Sequence, residues 1–362
     1  MNRVSLKKVS FIKNRDLPAF DINKVLALPA IDISNRRYIG GKAKLLDWIF
    51  NLIEKECSGK SFADIFAGTG VVSARAASFY KEIILNDLLH SNFVAYKGFF
   101  SQEKYDRTKV LNLVGYYNSI TPNKVKANFF SKNYGGKYFT VSSAKLIGFI
   151  REDLKRRRSQ LSDKEYYILL TSLLYSADKI ANTVGHYDAF FSKIVADKKF
   201  IFRVIEPLIK AGKVLIHQED ANTLVRKIKA DIVYIDPPYN SRQYSRFYHV
   251  LETLALWDNP KLTGVALKRP TENMSEYCKI KAPVIFEDLI KNIDAKYIVV
   301  SYNNTYNSKS SSSKNKIKLS DIERILGAKG KTKIFRKSHQ FFNAGNTNFD
   351  DHQELLFITK VK

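Results

Sequence analysis

Asp231-Ile232-Val233-Tyr234-Ile235-Asp236-Pro237-Pro238-Tyr239 is an apolar run that ends in an acid, two prolines and an aromatic residue. The apolar part predicts a buried strand, because strands covered on both faces have continuous hydrophobic sequences. The end of the run then lies where open α/β sheets bind ligands. Asp236 and the Pro237 carbonyl could accept hydrogen bonds from an exocyclic amine, while Tyr239 stacks on a base turned out of a duplex. This stretch alone leaves open a stiff Pro-Pro turn with Tyr239 packed on the core.

A glycine turn follows another predicted strand. Ser61–Gly70 and Val71–Ala77 together predict a strand, a turn and a helix, and Gly68 and Gly70 would let a ligand approach the backbone closely. Ser73 occupies the last position of the fuller Gly-x-Gly-x-x-Gly pattern of dinucleotide sites. The turn therefore favours a smaller adenosyl cofactor over NAD, with a purely structural turn as the alternative.

Acids end two more predicted strands. Ile83-Ile84-Leu85 leads into Asp87, where a carboxylate can accept both hydroxyls of a ribose. Val214–Gln218 ends shortly before Asp220, which could reach an adenine amine or be a solvated acid. Nearer the N-terminus, Arg37–Lys42 predicts a glycine-rich turn that opens a helix and could hold an anion.

Composition limits the partners and the compartment. The chain has 362 residues, and 60 Lys and Arg against 35 Asp and Glu give a formal charge of +25. Such a charge attracts polyanions, and 13% aromatic residues suit a protein that also stacks on bases. Cys57 and Cys278 predict neither a disulfide framework nor a zinc site. We expect a cytoplasmic protein, because no secretory signal or membrane span is evident.

Later segments complete an α/β sheet. Tyr297–Asn304 and Glu354–Thr359 predict two further strands, and Ile334-Phe335 with the loop at Gly345–Thr347 predicts a hairpin-like antiparallel edge. Ser308–Asn315 is rich in Ser and Lys and is predicted to be mobile. The expected fold is a mostly parallel, Rossmann-like sheet with an antiparallel edge.

Together these motifs resemble the Dam-like, D12-class DNA adenine-N6 methyltransferases. The resemblance rests on Tyr38–Lys42, Phe66–Gly70, Asp87, Asp220 and Asp236–Tyr239, which stand in the order of that family's motifs. Asp64 departs from the usual Glu, and Ile65 stands in place of Pro. The sequence from Asp236 through Tyr244 and on to Asn259 looks like a restriction–modification branch with four-base sites such as CATG, with GATC-like sites as the alternative.

The resemblance implies S-adenosylmethionine as cofactor and double-stranded DNA as substrate. It implies a cofactor site at Tyr38, Lys42, Asp64, Phe66, Gly68, Gly70, Asp87 and Asp220. It implies a catalytic site at Asp236, Pro237, Pro238 and Tyr239, and a cognate restriction endonuclease is a possible partner. No metal is expected, because the histidines are isolated from other ligand types and the chemistry needs none.

Two other segments are predicted to contact DNA. Arg242, Gln243, Tyr244 and Arg246 follow the catalytic tetrapeptide, although loop solvation and helix capping explain them as well. Asn182, His186 and Tyr187 lie in an unusual alternation of polar and aromatic residues. In the same region Lys155–Arg158 is a candidate phosphate contact or a solvated helix end, and aromatic loops within Asn128–Tyr138 could wedge a duplex or pack in a core.

The expected organisation has three parts. Residues 1–88 form an N-terminal segment and the cofactor-binding half of one catalytic domain, 89–212 a mainly helical target-recognition insert, and 213–362 the catalytic half. RNA adenine methylation and a silent DNA-binding subunit remain alternatives. Glutamine-N5 and cytosine-N4 methylation fit less well, since they usually carry Asn or Ser at the position of Asp236.

Overall fold

The sheet of this protein is mostly parallel. The computed structural model describes residues 22–194, 199–208, 212–305, 315–338 and 352–362. Within these residues the strands are β1 Ser61–Asp64, β2 Glu82–Asn86, β3 Lys213–His217, β4 Lys229–Ile235, β5 Asp294–Asn303, β6 Gly330–Ser338 and β7 Gln353–Val361. Their order is β3-β2-β1-β4-β5-β7-β6.

Strands β1 to β5 pair in parallel, whereas β7 pairs antiparallel with both β5 and β6. The predicted fold class and its antiparallel edge are therefore confirmed. The chain order reverses between the neighbours β1 and β4, and such a switch point opens a crevice at the carboxyl ends of the strands.

Central position explains the sequence of β4. Its last four residues are all buried, as expected for a strand that has parallel neighbours on both sides. Ile232, Val233 and Ile235 are at most 2% exposed, and the hydrophobic core continues through β5 and β7 to the helices behind them. The site described below therefore lies at the end of a rigid, covered strand.

The helices are bounded by local signals as well as by packing. They are α1 Ile22–Leu26, α2 Leu46–Glu56, α3 Val71–Ala76, α4 His90–Phe100, α5 Arg107–Ser119, α6 Phe129–Tyr134, α7 Val141–Arg156, α8 Asp163–Ile180, α9 Ala221–Leu224, α10 Tyr244–Phe247, α11 His249–Leu256, α12 Ala282–Asn292 and α13 Leu319–Lys329. Helix α8, for example, begins with a capping box in which Ser162 and Glu165 each accept from the other's backbone N–H. In the described ranges, no helix combines the length and apolar character needed to cross a bilayer.

Contacts divide the chain into two compact units. The helical unit comprises the described residues within 1–37, 94–209 and 248–270, and the sheet unit those within 38–93, 210–247 and 271–362. This division differs from the expected boundaries because residues up to 37 and Tyr248–Pro270 group with the helices. The assignment of three functional parts stays a prediction.

Two expectations about the helical region change. The aromatic segment predicted as loops is wrong over Phe129–Tyr134, which forms α6, and Phe130, Tyr134 and Tyr138 are fully buried. Arg157, in the basic run at the end of α7, is also buried, and its Nε donates to Asp153 Oδ2 over 2.6 Å. Local sequence did not separate these core positions from solvent-facing ones.

Of the remaining predictions, the loop at Gly345–Thr347 and residues 308–314 of the Ser- and Lys-rich segment lie outside the described residues. The strands on either side of that loop, β6 and β7, pair as the expected hairpin edge.

Candidate active site

A cleft opens at the switch point of the sheet unit. It holds about 960 Å³ of empty space, including its open mouth. It is lined by the turn after β1, the end of β2, the residues after β3 and β4, and the segment around Tyr38. Among the predicted residues, those lining it are Tyr38, Lys42, Asp64, Phe66, Gly68, Asp87, Asp220, Asp236, Pro237, Pro238, Tyr239, Gln243 and Tyr244. The fold thus gathers motifs that lie far apart in the chain.

The glycine turn shapes one wall of the cleft. Gly68 and Gly70 have φ angles of +54° and +83°, a left-handed conformation that disfavours side chains. The Gly68 N–H donates to Asp87 Oδ2 over 2.9 Å, which joins the ends of β1 and β2. Gly70 precedes α3 as its N-cap and is not among the lining residues.

Tyr38 covers this turn. A Cβ placed on Gly68 would lie 3.2 Å from Tyr38 Cε1, so the ring would have to move by a few tenths of an ångström to admit a side chain. Tyr38 also stacks with Tyr244, at a distance of 5.2 Å between the ring centroids. The Tyr244 hydroxyl donates to the Ile39 carbonyl. Two aromatic rings and a bare backbone therefore border a space that suits a flat group.

Asp64 ends β1 as a buried acid. Its Oδ2 accepts a hydrogen bond from Ser73 Oγ over 2.8 Å, while its Oδ1 is buried and accepts none. Burial raises the pKa of Asp64 from its ordinary 3.8 to about 8, against the lowering effect of Ser73. A buried carboxyl oxygen without a partner that borders a cleft fits a ligand that donates a hydrogen bond.

Asp87 and Asp220 are the other two acidic residues predicted to bind the cofactor, and both line the cleft. Asp87 Oδ1 accepts from the Leu89 N–H over 2.8 Å, and a carboxylate has further lone pairs for hydroxyl donors. Asp220 is exposed and caps α9 by accepting from the Thr223 N–H over 3.1 Å. Together with the glycine turn and Tyr38, these acids fit the ribose, base and positive charge of an adenosyl cofactor.

A charged cluster lies at the end of β4, in the same cleft as the glycine turn. Lys42 Nζ is 2.6 Å from the Tyr239 hydroxyl and 3.1 Å from Asp236 Oδ1. It is also 3.8 Å from Glu354 Oε2. The Tyr239 hydroxyl donates to the same oxygen of Asp236, so both contacts converge on Oδ1.

Burial dominates the proton affinities in this cluster. It raises the pKa of Asp236, although Lys42 and the Tyr239 hydroxyl partly offset that effect. For Lys42, burial by itself would lower the pKa, but the Asp236 and Glu354 carboxylates outweigh it and raise the pKa above its usual range. The lysine therefore stays charged at neutral pH.

Tyr239 is held from two more directions. Its ring meets Tyr302 of β5 edge to face at 4.9 Å, and its carbonyl accepts from the Lys316 N–H over 2.7 Å. Pro237 is buried between the acid and this aromatic residue. A proline has no N–H, so it leaves the local carbonyls without a competing donor.

The residues after Tyr239 that are predicted to contact DNA differ in how deeply they are buried. Gln243 is buried, and its amide exchanges two hydrogen bonds with the Ser275 backbone over 2.9 and 2.8 Å. Arg242 and Arg246 are half-buried, and the Arg242 guanidinium lies 5.9 Å from the Phe247 ring centroid. A DNA contact by Gln243 would require its two hydrogen bonds with Ser275 to break. The two arginines, by contrast, keep part of their surface in solvent.

In the helical unit, the three predicted contacts are more deeply set. The Tyr187 ring is fully buried, and its hydroxyl donates to Asp178 Oδ1 over 2.8 Å. The Asn182 side chain donates to the carbonyls of Lys137 and Phe191. His186 is half-buried and accepts weakly from the Asp188 N–H. Direct contact of Asn182 or Tyr187 with DNA would therefore require a rearrangement of this packing.

Sequence reasoning missed three residues of the cleft region. Glu354 was predicted only as part of a strand, and no role was predicted for Asn86. The Asn86 amide donates to the Ile65 and Glu219 carbonyls and accepts from the Glu219 N–H, so it ties together the ends of β1, β2 and β3. Tyr277 meets the Phe66 ring edge to face at 5.0 Å and lines the cleft. A buried Asn directly before the strand-end acid was the available signal for Asn86.

A parallel sheet, a glycine turn and strand-end acids define a nucleoside-cofactor enzyme, and an Asp-Pro-Pro-Tyr end on β4 defines one that acts on an amine. The model of the D12 class N6 adenine-specific DNA methyltransferases matches residues 38–313. The chain belongs to this family. It is accordingly an S-adenosylmethionine-dependent, adenine-specific DNA methyltransferase, and DNA is its substrate.

Several bacterial and viral proteins are similar to the chain. "Modification methylase StsI" of Streptococcus sanguinis is 34% identical over 90% of this chain and 52% of its own length. "Type II methyltransferase M.CviAII" of Paramecium bursaria Chlorella virus 1 is 32% identical over 90% and 98%. "Type II methyltransferase M.NlaIII" of Neisseria lactamica is 30% identical over 87% and 95%. The chain thus spans about half of the first relative and nearly all of the other two.

Proposed function

We propose that this chain methylates the N6 amine of an adenine that has left the duplex and entered the cleft beside Asp236. The observation that carries the proposal is the position of Asp236, Pro237 and Tyr239 in the lining of the switch-point cleft. A base inside a duplex cannot present its amine to such a recessed group, so the target nucleotide must turn out.

Asp236 has two oxygens with different environments. Oδ1 is occupied by the Tyr239 hydroxyl and Lys42, and Oδ2 then accepts one N6 hydrogen. The Pro237 carbonyl accepts the other. These bonds turn the nitrogen lone pair away from the ring and stabilise the positive charge that develops on nitrogen in the transition state.

When bound, S-adenosylmethionine supplies a methyl group on a sulfonium, and the electron pair of the breaking C–S bond stays on sulfur. Tyr38, Asp64, Asp87 and Asp220 would hold it against the glycine turn. Alignment of the amine with this methyl is the main contribution of the protein, since positioning replaces an encounter in solution. The extra proton on the methylated nitrogen leaves to Asp236 or to water.

Lys42 has a fixed place in this scheme. Its ammonium donates to the Tyr239 hydroxyl and Asp236 Oδ1, and thereby orients both the acceptor and the aromatic ring. Tyr239 then stacks on the adenine. The edge-to-face contact with Tyr302 holds the ring at one inclination before any base arrives.

The biological role that we propose is protection of host DNA at one short sequence. The names of the similar proteins, two type II methyltransferases and a modification methylase, support a restriction–modification system with a cognate endonuclease. A four-base site such as CATG, with GATC-like sites as the alternative, follows from the resemblance of the segment after Asp236. The enzyme would act in the cytoplasm, where the DNA it protects lies.

Plasmid methylation tests this proposal. The chain is expressed in a host that lacks its own adenine methylation, and modified bases are mapped by single-molecule sequencing. We expect N6-methyladenine at every copy of one short sequence, and none with Asp236→Ala. Scattered methylation without a common sequence would contradict the protective role, and unmodified plasmid would contradict the activity.

A further inference from the structure

The active-site lysine lies between two carboxylates, and the methyl transfer proposed above uses only one of them. Lys42 Nζ is 3.1 Å from Asp236 Oδ1 and 3.8 Å from Glu354 Oε2. Lys42 and Glu354 are only 4% and 9% exposed in their side chains. A buried charge at this position costs free energy unless an opposite charge pairs with it.

The sheet topology brings Glu354 to this place. Strand β7 runs antiparallel to β5, so its first residues lie at the edge where the parallel strands end. Glu354 is opposite Asn303, the last residue of β5, and Leu355 is opposite Tyr302. The ring of Tyr302 in turn packs on Tyr239. The start of β7 thus lies close to the catalytic tetrapeptide.

The charge of Glu354 changes how strongly Lys42 affects Asp236. If Lys42 paired with Asp236 alone, the ammonium would withdraw electron density from the oxygen atoms that must accept the N6 hydrogens. With Glu354 ionised, two carboxylates and one ammonium leave one net negative charge. At a few ångströms in a poorly solvated site, such a charge is felt strongly by a neighbouring group.

We infer that Glu354 is a positioning residue of the methyl transfer. It holds Lys42 between Asp236 and β7, and it shares the lysine's charge so that Asp236 remains a strong acceptor for the amine. This inference rests on the proposed function, because it acts through the role of Asp236. It adds a residue from the antiparallel strand β7 to a site otherwise built at the carboxyl ends of the parallel strands.

Other ionisable groups surround this pair. His352 Nε2 is 3.4 Å from Glu354 Oε1, and the Tyr239 hydroxyl contacts both Lys42 and Asp236. Burial raises the pKa of Tyr234 and of Asp64, and the negative charge of Asp236 raises both further. The negative charge of Glu354 raises the pKa of Asp236, while the positive charge of Lys42 lowers it. Removal of the Glu354 charge therefore shifts Asp236 towards ionisation at lower pH.

The test compares Glu354→Gln with the full-length wild-type enzyme in single-turnover methyl transfer to duplex DNA. The substitution keeps the shape of the side chain and removes its charge. We expect the transfer rate constant on the pH plateau to fall about tenfold or more, with KM for DNA changed by less than about twofold. We also expect the acid limb of the rate profile to move to lower pH, although the plateau is lower.

Two further variants keep the inference falsifiable. Glu287→Gln removes an exposed carboxylate that pairs with Arg324 on α13, and it should leave both rate and pH profile unchanged. Glu354→Asp retains the charge, so its acid limb should stay at the wild-type pH even if its rate falls. If Glu354→Gln does not fold, the profile of Glu354→Asp still decides: an acid limb shifted to lower pH would overturn the inference.

The outcomes separate the two claims. A wild-type enzyme that transfers no methyl group to adenine would overturn the proposed function itself. An active wild-type enzyme with Glu354→Gln at the wild-type rate would overturn the inference alone. A slower Glu354→Gln enzyme whose acid limb stays in place would also overturn it, since loss of packing lowers a rate without a shift of the profile.

Discussion

Asp236 is the residue on which the chemistry depends. Asp236→Ala should abolish methyl transfer, because the proposed mechanism places one N6 hydrogen on Asp236 Oδ2, and the variant has no carboxylate at the end of β4 to accept it. Cofactor binding should remain nearly intact, since the cofactor wall is formed by Tyr38, Asp87 and the glycine turn. A tritiated-methyl transfer assay and a calorimetric cofactor titration measure the two properties. Retained turnover would remove Asp236 from the mechanism.

Tyr239 combines a ring and a hydroxyl with separable roles. In Tyr239→Ala, the loss of one stacking contact should weaken capture of the base by about 1–3 kcal/mol, seen as a higher KM for DNA. In Tyr239→Phe the ring stays, and only the bonds to Asp236 and Lys42 are lost. Its KM should remain close to that of the wild type. Equal KM increases in both variants would show that the ring does not stack on the base.

Asp64 predicts a pH dependence of stability. Its pKa is raised from 3.8 to about 8 in the folded state, so the folded protein keeps a proton that the unfolded chain releases at much lower pH. The stability that this proton contributes is fully present below the unfolded pKa, and it is lost as pH rises through the folded pKa. Asp64→Asn removes this titration. Urea unfolding between the two pKa values should show the variant gaining on the wild type as pH rises, whereas a constant difference would contradict the assignment.

At the scale of the elements, α11 depends on two neighbouring residues of α7. Arg151 donates to the Leu254 and Ala255 carbonyls at the end of α11 over 2.7 and 2.9 Å. Glu152 Oε2 accepts from Trp257 Nε1 over 2.7 Å, just beyond that end. Carbonyls at a helix end lack partners within the helix, so these contacts fix where α11 stops.

The Arg151→Met variant tests this cap. It should lower the free energy of unfolding by about 1–3 kcal/mol, because two buried carbonyls lose a charged donor. Urea denaturation measures the change. Arg156→Met is the matched control on the same helix, since Arg156 is half-exposed and its ion pair with Glu152 is long at 3.8 Å. Equal stability losses in the two variants would contradict the capping role.

Local patterns were sufficient to predict most of the sheet. The strand that ends at Asp236 was evident because it is apolar throughout, and Asp87 was evident because an acid follows such a run. The return of β7 was predicted as a strand, but the contact of Glu354 with Lys42 was not. That contact joins residues far apart in the chain, and it depends on the register of β7 against β5, which local sequence does not encode.

The same limit applies to the residues of the helical unit whose contact with DNA stays a prediction. Tyr187 and Asn182 stand in a polar and aromatic segment that resembles a binding surface. Their polar atoms are instead bonded inside the unit, to Asp178 and to two carbonyls. The same type of polar residue can donate to a buried carbonyl or to the edge of a base. Only the packed structure shows which of the two it does.

At the scale of the whole molecule, the charge of +25 makes binding of DNA sensitive to salt. We expect Arg242, which lies three residues after Tyr239, to contact a phosphate. In Arg242→Ala, affinity should fall alike for all sequences, and the slope of log affinity against log salt should decrease by about one. Arg324→Ala is the control, because this exposed arginine pairs with Glu287. An unchanged slope in Arg242→Ala would exclude the phosphate contact.

The central claim is that this cleft transfers a methyl group to the N6 amine of adenine in DNA. The most direct measurement incubates the purified chain with S-adenosylmethionine and duplex DNA, digests the DNA to nucleosides and identifies the methylated product by mass spectrometry. We predict N6-methyldeoxyadenosine, and none with Asp236→Ala. N4-methyldeoxycytidine, or the absence of any methylated nucleoside with a cofactor-bound wild-type protein, would contradict the account.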